Sequence, residues 1–209
     1  METIIIQPKR QRFEILFVLA ATIAILALAG GLVAATKTQK EVVKLKPYQI
    51  SAFSVLSGND QGIFSDLYTA ALEIEAMHRD NGEIWASIDE LKNKELALSP
   101  FVEDALWKSR GQIKWKLFTY DQPNVHRAVY VGRSGDESVA GNFVVLCEHF
   151  HSIDGSYYFG MNKQRPYSIW FNKNWSLPSD ISEGTLVANG WKEAVPYSGK
   201  EELKRLNRN

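Results

Sequence analysis

The chain has 209 residues, 24 Lys and Arg balanced by 24 Asp and Glu, and a single cysteine, Cys147. Balance of this kind argues against nucleic acid as a partner, because neutralising phosphates needs a clustered basic excess. One cysteine excludes an internal disulfide framework, so packing alone must hold the fold, and about 170 residues suffice for that.

Residues 1–14 form a short basic leader containing Lys9, Arg10 and Arg12. From Ile15 to Ala35 no charged side chain occurs. About 20 apolar residues rise roughly 30 Å as a helix, the thickness of a bilayer's hydrocarbon core, so 15–35 is predicted to be a transmembrane helix. Phe17, Leu19, Ile23, Ile25, Leu26, Leu28 and Leu32 cover every face of that helix, which argues against a buried amphipathic one. Secretory leaders have a shorter apolar core, which favours a retained signal anchor, although Val33-Ala34-Ala35 would suit signal peptidase. Lys37, Lys40, Lys44 and Lys46 follow the span, so flanking charge does not fix orientation. The expected location is the bacterial inner membrane, single-pass, with the C-terminal domain in the periplasm and the lipid bilayer as a partner. Without the first 14 residues, which hold 3 basic and 2 acidic side chains, 21 basic and 22 acidic remain, leaving the external part near neutral.

Residues 36–60 read as a juxtamembrane stalk that Pro47 kinks, and 61–199 as a globular extracytoplasmic domain. Ile63, Leu67, Ala70, Ala71, Ile74 and Met77 or His78 recur at helical spacing, so this amphipathic helix turns one stripe to a core and leaves Asp66, Glu73, Glu75 and Arg79 elsewhere. Asn81-Gly82 supplies a left-handed stop. Ser87 and Glu90 form a capping box opening a second, short helix. Ser99-Pro100 closes that section, and Phe101 to Trp107 adds a turn.

At Gln112 the period changes to two. Ile113, Trp115 and Leu117 alternate with lysines, Asp121 to Asn124 turns, and strands follow at 125–132, 141–152, 156–161 and 166–171. The tail to Tyr197 reads as irregular structure over the sheet, and 200–209 as a charged tail with helical character.

The order of membrane helix, amphipathic helix and meander, with the segment from Leu72 to Leu91 in which a helix ends in Asn-Gly before a Leu-bearing helix, resembles the pilin and pseudopilin architecture. The fold implied is α+β, an N-terminal transmembrane helix with an amphipathic helix packed on an antiparallel β-meander. Arg12 precedes Phe13 here and Glu14 follows at once, whereas pilins carry a glycine before the first mature residue and a glutamate five positions into the chain. Prepilin processing is therefore not implied.

Chemistry concentrates at Cys147-Glu148-His149-Phe150-His151. On a strand Cys147, His149 and His151 share a face, and two histidines at that spacing can chelate one divalent ion. Pairing Gly132 with Gly141 would set His126 opposite Cys147, so Cys147, His126, His149 and His151 form the candidate metal set, for zinc or copper. The competing account makes Cys147 a small core residue and the histidines rim residues of a half-exposed sheet. His78, near a helix C-terminus, suits the dipole there. The layout and the Cys-X-His-X-His segment are also similar to uncharacterised bacterial membrane-anchored proteins associated with zinc-type ABC transporters, which implies a transporter partner. An aromatic set, Tyr157, Tyr158, Phe159, Tyr167, Trp170, Phe171, Trp175 and Trp191, either lines a binding face or packs core and edge.

No P-loop, Rossmann fingerprint, Gly-X-Ser-X-Gly or His-Glu-X-X-His occurs, and Cys147 lacks the third group a nucleophile pair needs. An enzyme is not expected. The two functions read from the sequence are a membrane-anchored accessory that binds or helps import a divalent metal, and a pilin-like structural or interaction subunit of an envelope assembly.

Overall fold

The computed structural model describes residues 11–35, 45–93, 95–122, 125–151, 157–158 and 166–196. The chain divides into two compact units, 1–42 and 43–209. In the first, α1 (Gln11–Ala35) is a 25-residue helix. Its side chains are described from Ile15 to Gly31, all of them exposed. Among the described residues no helix is long and apolar enough to cross a membrane.

The second unit is α+β. Among the described residues seven strands form one sheet: β1 (Gln49–Ser51), β2 (Lys114–Gln122), β3 (Val125–Arg133), β4 (Asn142–His151), β5 (Tyr157–Tyr158), β6 (Tyr167–Asn172) and β7 (Lys192–Val195). Their spatial order is β1-β7-β6-β4-β3-β2, with β5 beside the end of β4. β2, β3 and β4 form the expected antiparallel meander. The exception to the antiparallel expectation is β1, which joins β7 in parallel. The stalk therefore ends earlier than residue 60: Ala52 and Leu56, on and just after α2 (Ala52–Val55), are buried in the core. The tail before Tyr197 is likewise not irregular. It carries α6 (Glu183–Ala188), opened by a Ser182 capping box, and then β7. The expectations for 36–44 and 200–209 lie outside the described residues.

Alternation along the strands builds two cores. Ala128, Tyr130, Phe143, Val145 and Cys147 face α3 (Gly58–Asp80) and its stripe of Ile63, Phe64, Leu67, Ala70, Ala71 and Ile74. Val129, Val131, Val144, Leu146 and Trp170 face the other way, toward Ile181, Leu186 and Trp191. Each fully buried large apolar side chain contributes about 1.5–3 kcal/mol, and with both faces covered the sheet's central strands read as nearly continuous apolar runs. Tyr167, Trp170 and Trp191 are thus packing residues. Trp175 is partly buried beside the second core and lies under the Arg133 guanidinium, 5.1 Å from its ring.

α3 begins at Ser57, whose hydroxyl accepts from the Asp60 amide. The buried Asp60 carboxylate accepts at 2.8 Å from the Gly141 amide, which ties the helix start to the entry of β4. Its other end is a Schellman closure: the Glu83 amide donates to the His78 carbonyl at 2.8 Å while Gly82 adopts φ +66°. The anticipated capping box at Ser87 and Glu90 opens α4 (Ile88–Lys92), and α5 (Ala105–Ser109) follows.

Candidate functional site

β3 and β4 pair two residues away from the expected register: His126 faces His149, and Ala128 faces Cys147. A shift of two leaves every side chain on its expected face, so the two histidines share the α3 side, as the period-two reading requires. Cys147 sits in the apolar core. The side chain of His151 lies outside the described residues. The half-exposed rim expected of His149 is replaced by complete burial, because α3 covers that end of the sheet.

α3 contributes Glu75, expected away from the core, and His78, one of the two alternatives for the end of its core-facing stripe. Glu75 and His78, three apart and so on one helix face, are 4% and 0% exposed. The Glu75 carboxylate meets His149 Nε2 directly. The rings of His78 and His149 lie edge to face with centroids 4.9 Å apart, and His78 to His126 is 6.1 Å. Trp85 stacks on His78 at 3.6 Å and 6° and stands edge-on to His149 at 5.1 Å.

The segment after α3 closes this cluster. Glu83 adopts φ +66°, a conformation that costs a side-chain-bearing residue about 1–2 kcal/mol, and its carboxylate lies 3.7 Å from His126 Nε2. The Tyr130 hydroxyl donates to the Ala86 carbonyl at 2.8 Å and pins the segment from below. Burial raises the Tyr130 phenol far above its ordinary value, so it remains a donor. His126 and Glu83 are partly exposed, with side chains at 23% and 44%, so the cluster runs from a solvent rim into a dry interior.

Burial, reinforced by neighbouring His149, lowers His78 from its usual 6.5 to about 4. Its ring is therefore neutral at physiological pH and able to bind a metal. Both His78 ring nitrogens, Glu75 Oε1 and Trp85 Nε1 are buried without a hydrogen-bond partner among the described residues. The Ile84 backbone favours the protonated His78 ring but does not reach hydrogen-bond geometry. Buried polar atoms left in this state are rare and call for an explanation such as an ion.

Imidazole holds zinc at about 2.0–2.1 Å, which puts two tetrahedrally ligating rings roughly 5 Å apart between centroids. The 4.9 Å between His78 and His149 matches that spacing, the 6.1 Å from His78 to His126 exceeds it by about 1 Å, and the donors are of the borderline N and O type that zinc and copper accept. Among the described residues no group of three or more His, Cys, Asp and Glu side chains is already arranged to hold a metal ion. Ring rotation and release of the Glu75 to His149 contact would have to accompany binding. Glu75 and Trp85 were not anticipated, and His78, offered with Met77 for the core-facing stripe, was read as a residue suited to the helix end rather than as part of the site. A tryptophan three residues past a helix stop, with a histidine in the helix's last turn, was the available signal for the stacked pair.

Fold and cluster together define an α+β domain with a buried cluster of histidines and a carboxylate beneath a helix end. Residues 50–199 match a family of unknown function, DUF6162, and since that is most of the chain, the protein belongs to this family. No curated protein and no solved structure matches the chain.

Proposed function

We propose that this protein is a membrane-tethered extracytoplasmic binding domain that takes up a divalent metal ion, zinc or copper, through His78, His126, His149 and Glu75, as an accessory to metal handling at the envelope. The observation that carries the reading is the buried His78 imidazole, without a hydrogen-bond partner among the described residues, at ligand spacing from His149 and near His126. Partial exposure of His126 and Glu83 supplies an approach from solvent. The tether rests on the uncharged run Ile15–Ala35 and on the exposure of α1 side chains such as Ile15, Phe17, Ile25 and Leu28, each above half exposed. Side chains this apolar favour lipid over water by about 25 cal/mol per Å².

Zinc and Cu(II) titrations of the full chain in mild detergent, followed by calorimetry and by fluorescence of Trp85 against the other tryptophans, test the site. One ion per chain is expected, with affinity lost in His149→Ala and His78→Ala and kept in Cys147→Ala. Equal weak binding by all four proteins would end the metal reading. A mature protein beginning after Ala35 would end the anchor and leave the export.

A second reading, a pilin-like subunit of an envelope assembly, is favoured by an amphipathic helix, α3, packing on the sheet at β4 and β6. Co-purification with secretion components, and no metal response, would select it.

A further inference from the structure

We propose that two copies of this chain pair through β2, antiparallel and edge to edge, about a two-fold axis at Phe118. β2 is the terminal strand of the sheet, and among the described residues no strand lies beyond it. Its nine residues pair with β3 in unbroken register from Lys114 opposite Arg133 to Gln122 opposite Val125. The strand carries no bulge, proline or glycine. Of the usual devices that blunt an edge, it has lysines but neither a bulge nor a proline.

Those lysines are Lys114 and Lys116, both in the first half of the strand, while Phe118 and Tyr120 in the second half are 39% and 38% exposed on the same face. Parallel self-pairing in register would set lysine beside lysine. An acidic peptide strand would gain little at Lys114, which already pairs with Glu103 at 3.1 Å, and would leave Phe118 and Tyr120 without an aromatic or cationic partner. Antiparallel self-pairing centred on Phe118 does neither. It places Lys116 at the register position of Tyr120, Lys114 at that of Gln122, and Trp115 at that of Asp121.

An ammonium over an aromatic face is attracted to the ring's quadrupole. Lys114 already makes this interaction within its own chain, 4.4 Å above the Trp107 ring. Lys116 would repeat it across the two-fold on Tyr120. The two sheets would then run on as one, and two exposed edges would be removed together.

The test uses the full chain in detergent. Paired residues on antiparallel strands have Cα atoms about 4.5–5.5 Å apart, within disulfide reach, so Phe118→Cys is expected to cross-link to its own copy on mild oxidation. Lys114→Cys, about eight residues from its counterpart and so roughly 26 Å away, is expected not to. The native thiol, Cys147, is fully buried and does not compete. The uncross-linked protein should show twice the 23.6 kDa protein mass, and Phe118→Lys should return it to a monomer with unchanged circular dichroism. A monomer at all concentrations overturns the proposal. So does cross-linking by both cysteine variants or by neither, or a Phe118→Lys protein that stays dimeric, which would assign association to α1.

Discussion

Replacing His149 by alanine removes one half of a fully buried polar pair. Its partner, Glu75, is 4% exposed and has Oε1 already without a hydrogen-bond partner among the described residues, so the substitution leaves a carboxylate in a dry site without the His149 ring beside Oε2. Breaking a buried pair in this way costs about 3–5 kcal/mol, set against the 5–15 kcal/mol that typically holds a domain together. For a domain of this size the melting temperature should fall by roughly 10 °C. The diagnostic step is the second substitution. Adding Glu75→Gln removes the stranded charge, so the double variant should be more stable than His149→Ala alone although it departs further from the native sequence. Urea denaturation of the full chain in detergent with a chelator present, read by tryptophan fluorescence, gives all four corners of the cycle. A cost below about 1 kcal/mol for His149→Ala, or a double variant weaker than the single, would refute the assignment of Glu75 and His149 as a coupled buried pair.

Two further outcomes follow from the same cluster. His78 titrates near 6.5 when unfolded and at about 4 when folded, so the unfolded chain takes up the proton first. Stability is complete above 6.5 and falls as the pH drops toward 4, by about 3 kcal/mol at most. His78→Phe, which keeps the stack on Trp85, should flatten the slope of the urea midpoint in that window. At Glu83, φ +66° is expensive for any residue with a Cβ, and its ion pair with His126 is largely solvated. Glu83→Gly should therefore raise stability by about 1 kcal/mol in thermal melts, while removing the rim carboxylate and slowing metal uptake in stopped-flow fluorescence.

Where local rules and tertiary packing agreed, the sequence was readable. The period-three and four stripe of α3, the Asn81-Gly82 stop, the Ser87 capping box and the β2-β3-β4 meander all follow from spacing and turn chemistry. The face shared by Cys147 and His149 follows from parity along a strand, and parity survived the two-residue error in register. That error arose because the loop between β3 and β4 is longer than a hairpin turn, so loop length did not fix the pairing. Glu75 was hidden by its type: a glutamate on a helix reads as solvated unless a buried partner is known, and that partner lies 74 positions away. β1 and β7 escaped for a similar reason. Three and four residues give no periodicity, and their parallel pairing joins segments from opposite ends of the domain.

That pairing also decides how the domain responds to force. A pull transmitted along the chain arrives at residue 45 and meets β1 first. β1 is held by a three-residue parallel ladder to β7, by the Glu193 amide on the Tyr48 carbonyl, and by Gln49 donating to the Glu193 side chain. α3, β3 and β4, which carry the histidine cluster, lie beyond that latch. Tension arriving from that side would load the short β1–β7 ladder before it reaches α3 and the histidine cluster.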